Sequence, residues 1–361
     1  MIPYGRQSVD DDDIAAVVEV LKGDWLTQGP HVEEFEEALA QTVGARHAVA
    51  FANGTAALHG AAAAAGLGPG DVAATSPLSF AASATCARYV GATPTFVDID
   101  PATLCIDLRR VPGGVRALIP VHYAGFPLDL RELDGRPPIV IEDAAHAVGA
   151  MTPDGPVGNC AHSDMCMFSF HPVKTVTTGE GGAVTTNSDD LAGRLRSFRN
   201  HCITPKPAEG GWYYEITGLG FNYRMSDMQA ALGTSQLGKL ERFVTRRNEL
   251  AARYRELLAG LPVSLPPEAP GAPGWRHGRH LFPIRVQNRA QVYERMRAAG
   301  VGVQVHFVPI YRHPLYADLG VDPSSFPATE AAYAELLSLP LFPDLTDAEQ
   351  AEVVTRLEAA L

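Results

Sequence analysis

The first half of the chain alternates short apolar runs with alanine-rich amphipathic stretches. "DIAAVVEVLKGD" places apolar residues on one helical face behind an acidic first turn, and "HVEEFEEALAQTVG" does the same with Gly44 placed to end it. "HAVAFANG", "DVAATSP", "TPTFVDID", "RALIPVHYAG", "PPIVIEDAAHAVGA" and "MCMFSF" are strand-like apolar runs, several ending in polar or turn residues. Two of them are followed by helical stretches, "TAALHGAAAAAG" and "FAASATCARYVG". Strands alternating with helices predict βαβ units, and hence an α/β fold with a mainly parallel sheet covered on both faces. Ligands of such sheets gather at the carboxyl ends of the strands.

The pattern changes in the second half. "SDMQAALGTSQLGKLERFVTRRNELAARYRELLAGL" predicts a long helical stretch capped by Ser226 and bent near Gly233. "PVSLPPEAPGAPG" is Pro/Gly-rich punctuation. Beyond it "HLFPIRV" and "VGVQVHFVPIY" are strand-like, while "RAQVYERMRAAG" and "DAEQAEVVTRLEAAL" are helical. The expected division is a large domain over residues 1–243 and a smaller C-terminal α/β domain over 244–361.

Composition narrows the classes. Hydrophobic content of 46% with mixed charge is that of a globular protein. A net charge of −12 argues against non-specific nucleic-acid binding but permits one small anion in a locally positive pocket. Five scattered cysteines suggest no disulfide framework and a reducing compartment. Cys160, His162 and Cys166 lack a second pair at ligand spacing, so no metal is expected. "MIPYGRQSVDDDD" has no signal-peptide pattern, and "AALHGAAAAAGLG" is too short and weakly apolar to span a bilayer; the expectation is a cytoplasmic protein without a membrane partner.

Four lysines (Lys22, Lys174, Lys206, Lys239) stand among 29 basic Lys and Arg residues, so arginine serves wherever charge alone is needed. Lys174 lies just past the apolar run 165–170, inside "FSFHPVKTVTTGEGGAVTTN". A lysine there either snorkels to water or is kept for a primary amine that can lose its proton, which arginine cannot replace. Asp143 ends another strand, in "IVIEDAAHAVG". Read alone it is a helix cap; beside a strand-end lysine it gains a second reading, because a pyridoxal phosphate ring needs a carboxylate to keep its nitrogen protonated. Glu142 points to the opposite face. His146 is either a satisfied core histidine or a donor to the ring oxygen. "NGTAALHG" offers Gly54 and Thr55 at a helix start, ordinary capping or a phosphate cradle. Ser169 is unremarkable alone, and Phe80 is either core or a ring to stack on the cofactor.

"EDAAHAVGA", "FSFHPVKTVTTGEGGAVTTN", "GFNYRMSDMQAALGTSQL" and "VQVHFVPIY" together resemble the DegT/DnrJ/EryC1/StrS sugar aminotransferases, nearly end to end. The resemblance implies fold type I of the pyridoxal 5'-phosphate enzymes, the aspartate-aminotransferase fold. It implies Lys174 as the covalent anchor of the cofactor, Asp143 at the ring nitrogen and His146 at the ring hydroxyl. Gly54, Thr55 and Ser169 would hold the phosphate, with Phe80 on the ring. Asn222 would reach the partner subunit's phosphate, which makes a homodimer with shared sites. Thr27 and His306 are the candidates for the sugar-nucleotide side. Lys174, where dehydrating relatives carry histidine, favours amino transfer from a donor such as glutamate. The likeness is greatest to the branch that aminates C4 of UDP-linked 4-keto-6-deoxy-N-acetylhexosamines, as in the pseudaminic acid pathway. The alternatives are a 3-keto sugar or aminocyclitol acceptor, or a non-catalytic regulatory relative. A nicotinamide enzyme lacks support, because "TTGEGG" leads into the strand-like "AVTT" rather than opening a helix.

Overall fold

The computed structural model describes residues 1–361. The helices are α1 (Asp11–Lys22), α2 (Pro30–Val43), α3 (Gly54–Ala64), α4 (Ala82–Tyr89), α5 (Asp189–Arg199), α6 (Asp227–Leu237), α7 (Leu240–Leu257), α8 (Arg289–Ala298), α9 (Pro327–Glu335) and α10 (Asp347–Ala360). The strands are β1 (His47–Phe51), β2 (Val72–Thr75), β3 (Thr93–Phe96), β4 (Ala117–Ile119), β5 (Ile139–Asp143), β6 (Met151–Thr152), β7 (Gly155–Pro156), β8 (Met165–Ser169), β9 (Gly182–Thr186), β10 (Ile203–Pro205), β11 (Tyr214–Ile216), β12 (Val263–Ser264), β13 (Phe282–Val286) and β14 (Leu336–Leu339). No helix is long and apolar enough to cross a membrane.

Seven strands form the main sheet in the order β1-β9-β8-β5-β4-β2-β3. The run from β8 through β5, β4 and β2 to β3 is parallel, and β9 is antiparallel to both its neighbours. Side-chain alternation splits each strand between two cores. Val49 and Phe51 of β1, with Met165 and Met167 of β8, meet α3, α4 and α5. Ala48 and Ala50, with Cys166 and Phe168, meet α2, α6 and α7 on the other face. The parallel pairing puts the carboxyl ends of β5 and β8 at one edge, with Asp143 opposite Met167.

A second sheet, β12-β13-β14, is antiparallel and packs with α8, α10 and the far half of α7. Helix α7 runs through both cores: Phe243 and Val244 belong to the first, Leu250 and Tyr254 to the second. Ile2 joins this second core, its carbonyl accepting from the Gly302 N–H at 2.7 Å.

Two expectations are corrected. The long helical stretch breaks at Gly238–Lys239, not near Gly233. Ser226 caps α6 in a box with Gln229, as its sequence suggests. Gly233 is inside α6 because a Cβ there would lie 2.6 Å from the Phe35 ring; its smallness serves packing against α2. The stretch 301–311 is not a strand. It makes single bridges, Val301 to Ile2 and Gln304 to Ser338, and turns into a short 3-10 segment at Ile310. Its backbone is claimed by side chains: the His306 carbonyl accepts from the Tyr123 hydroxyl, and the Val305 N–H donates to the Gln304 side chain at 2.9 Å. The partner of β13 is instead β14, in "LLSL", all four of whose residues are buried.

Candidate active site

Lys174 sits in the turn after β8, its N–H donating to the His171 carbonyl at 2.8 Å. The residue is half-buried, and burial pushes its amine down to about 8 against the opposing pull of the Asp143 charge. An amine shielded from water, beside a carboxylate too distant to form an ion pair with it, loses its proton more readily than an exposed lysine, the property a nucleophilic lysine needs.

Asp143 is buried at the end of β5. Its Oδ2 accepts from the Ser83 hydroxyl at 2.6 Å and its Oδ1 from the Ala145 N–H at 3.1 Å. Burial raises its pKa, while those donors and the Lys174 charge pull the other way. It caps no helix, since none follows β5 here. Neighbouring Glu142 faces away, bonded to His122 Nε2 at 2.8 Å and to the Ser163 hydroxyl.

His146 is buried and held neutral, burial and then the charge of Lys174 pushing it well below its usual range. Its Nδ1 accepts from the Ala124 N–H at 3.3 Å, so the ring proton lies on Nε2 and is available as a donor. Its ring is 4.4 Å from that of His280 and stacks on Phe307 at 5.9 Å. Phe307 joins three of the candidates, because it also lies 6.4 Å from Phe80 and 4.9 Å from His306. Phe80 is 62% exposed, so its ring lies on the surface and is not core. His306 is buried, with Nδ1 2.9 Å from the Ser338 hydroxyl, and burial drives it down to about 3.

The helix start at Gly54 is shaped by close approach. A Cβ at Gly54 would come 3.0 Å from that of Ser169, and one at Gly182 would come 2.5 Å from the Asn53 backbone. Glycine at 182 lets the start of α3 settle against β9, and at 54 it keeps the approach to β8 close. Asn53 caps α3 through the Ala56 N–H at 2.9 Å, so the N–H groups of Gly54 and Thr55 precede the intrahelical ladder beside the Ser169 hydroxyl.

Thr27 and Asn222 are exposed and belong elsewhere on the chain: Thr27 bridges to Ser226, and Asn222 to Asn200. No hydrogen bond joins either to the Lys174 cluster. Sequence reasoning did not assign Ser83, His280 or Phe307. Ser83 and Phe307 lie inside stretches already singled out, "FAASATCARYVG" and "VQVHFVPIY", and the four-residue step from Ser79 to Ser83 is the available signal.

The donor set suits pyridoxal phosphate: an amine able to lose its proton, a buried carboxylate, free N–H groups at a helix start, and an exposed aromatic ring. No group of three or more His, Cys, Asp or Glu residues is placed to hold a metal ion. The sequence matches the DegT/DnrJ/EryC1/StrS aminotransferase family over residues 7–358. It is 35% identical over 374 residues to the spore coat polysaccharide biosynthesis protein SpsC of Bacillus subtilis, covering 98% of this chain and 95% of that one. Helicobacter pylori PseC, an aminotransferase involved in the biosynthesis of pseudoaminic acid, superposes with a TM-score of 0.92 at 29% identity, over 99% of this chain and 98% of that one. The PLP-form of Spr1654 from Streptococcus pneumoniae superposes with a TM-score of 0.90 at 26% identity, over 99% of this chain and 98% of that one. The chain thus belongs to the DegT/DnrJ/EryC1/StrS aminotransferase family and is a sugar aminotransferase that depends on pyridoxal phosphate.

Proposed function

We propose that the chain moves an amino group from glutamate to the C4 keto group of a nucleotide-linked 4-keto-6-deoxy-N-acetylhexose, working as a homodimer. The observation that carries the catalytic reading is the Lys174 amine, pushed down to about 8 by burial near the strand-end carboxylate Asp143. The likeness to PseC supports the choice of acceptor.

Bound pyridoxal phosphate supplies an electron sink for the donor's α-carbon. The chain's residues do the rest. Lys174 Nζ would anchor the cofactor and, when free, would act as the base that carries the proton from the donor's α-carbon to the cofactor carbon that receives it. Asp143 keeps the ring nitrogen protonated where negative charge develops. His146 Nε2–H is a donor for the ring oxygen, and Phe80 offers its exposed ring for stacking. The Gly54 and Thr55 N–H groups and the Ser169 hydroxyl hold the phosphate. Thr27 and His306 serve the sugar-nucleotide side. Asn222 is exposed, as a residue completing the partner's site must be.

The test is the visible spectrum of the protein supplied with pyridoxal phosphate, before and after glutamate, followed by product identification against 4-keto sugars, 3-keto sugars and aminocyclitol precursors. A yellow band that bleaches with glutamate and is absent from Lys174→Ala is expected, with product from the 4-keto sugar. Transamination retained by Lys174→Ala would overturn the role of Lys174; product only from another acceptor would overturn the substrate.

A further inference from the structure

Two serines stand behind Asp143. Ser83 is fully buried at the start of α4, and Ser79, one turn earlier, is 4% exposed. Ser83 Oγ lies 2.6 Å from Asp143 Oδ2, 2.7 Å from Ser79 Oγ and 3.2 Å from the Phe80 carbonyl oxygen. A hydroxyl has one proton to give and can accept others. The carboxylate is the strongest of the three acceptors, so Ser83 donates to Asp143. Ser79 must then donate to Ser83, and the pair forms an oriented chain ending on the carboxylate.

The Ala145 N–H holds the second carboxylate oxygen at 3.1 Å, so both oxygens are anchored and the plane of the group is set. The other groups that act on Asp143 are Lys174 and His122. Cys86, one turn beyond Ser83, donates its thiol to the Ser83 carbonyl at 3.3 Å and, pushed up to about 12 chiefly by burial, adds no charge. The same turn carries Phe80, so one short segment orients the carboxylate and presents the exposed ring.

We propose that Ser83, supported by Ser79, is a positioning residue for the transamination: it orients Asp143 and keeps it ionised, so that the nitrogen of the cofactor ring stays protonated. This rests on the reading of Asp143 as the partner of that nitrogen. Without Ser83 the buried carboxylate keeps one protein donor and its charged form is disfavoured.

The probe is pyridoxamine 5'-phosphate labelled with 15N in the ring, bound to the full chain and to the variants Ser83→Ala, Ser83→Thr, Ser79→Ala and Asp143→Asn. The 15N shift reports protonation of the ring, and titration gives the dissociation constant. Ser83→Ala is expected to lose part of the protonated signal and bind about tenfold more weakly. Ser83→Thr, which keeps the hydroxyl, is expected to restore both, and Asp143→Asn to lose the protonated signal. Ser79→Ala keeps Ser83 but removes its donor, and a smaller change in the same direction is expected; if Ser83→Ala does not fold, this variant decides. A wild-type shift in Ser83→Ala, or in Ser79→Ala where that variant decides, alongside a lost signal in Asp143→Asn overturns the role of Ser83 and leaves that of Asp143 standing. A protonated signal retained by Asp143→Asn overturns the reading of Asp143 itself, and this inference with it.

Discussion

Lys174 and Lys239 are the same residue in opposite electrostatic settings. Lys239 lies at the junction of α6 and α7, its side chain 14% exposed, bonded to Asp10 and at 2.8 Å to the fully buried Asp13. Burial alone would lower its pKa, but the bonds from the two carboxylates outweigh it and raise it. Asp13 is further held by the Ser235 hydroxyl at 2.6 Å and by Gln236 at 2.7 Å. Lys174 has no such partners, and its pKa goes down to about 8. A lysine paired with carboxylates is a clamp, here tying α1 to α6. A lysine near a carboxylate that does not pair with it gives up its proton more easily than an exposed one.

The largest difference between the two should appear in turnover. Lys174→Ala is expected to lower it by about a thousandfold or more while leaving pyridoxamine phosphate bound, whereas Lys239→Met should stay within about threefold of wild type. Steady-state rates with glutamate and the keto sugar decide this, and equal losses would erase the distinction.

Stability should respond the other way. Lys239→Met strands Asp13 and should destabilise the fold by about 3 kcal/mol at pH 7, at the low end for a broken buried pair because Ser235 and Gln236 still donate. Denaturant titration measures it; an unchanged midpoint would show the clamp to be idle.

Lys174→Met in the cofactor-free protein should instead be stabilising. The folded pKa of Lys174 is below its unfolded value of 10.5, so between about 8 and 10.5 the unfolded chain binds more protons and stability rises with pH. Below about 8 the full penalty is present, about 2 kcal/mol once partial exposure is allowed for. Melting curves of both proteins should differ most at pH 7 and converge by pH 10.5; a gap independent of pH would assign the gain to packing.

The smallest effect tests whether the clamp depends on α6 alone. Ser226→Ala removes the cap of the helix that carries Ser235 and Gln236, and about 1 kcal/mol of stability with it, without altering turnover. A change in turnover larger than twofold would couple the two regions that the comparison separates.

Much of this is legible in the sequence. Apolar runs alternating with helical stretches predict a sheet with two covered faces, and Gly44 and Ser226 mark helix ends through their own local chemistry. Lys174 and Asp143 were visible because a lysine and an aspartate just past or at the ends of apolar strands need a reason. β14 is not visible, because it is only four residues long and follows α9 directly with no turn residue to separate them. The stretch 301–311 misled for the complementary reason: its apolar residues suit a strand, but Tyr123 and Gln304 claim its backbone.

Sequence alone determined the α/β class, the family resemblance and the residues able to do the chemistry, because strand periodicity, capping and the need for a primary amine are properties of short segments. Only the tertiary structure showed that Lys239 is paired with carboxylates while Lys174 is not. That depends on what stands within bonding distance: Asp10 and Asp13 lie more than two hundred positions from Lys239 and meet it, while Asp143 comes near Lys174 without pairing. It likewise decided that Ser83, sixty positions from Asp143, stands against that carboxylate. Distances of that kind are set by how β5, β8 and α4 pack, and no single segment encodes them.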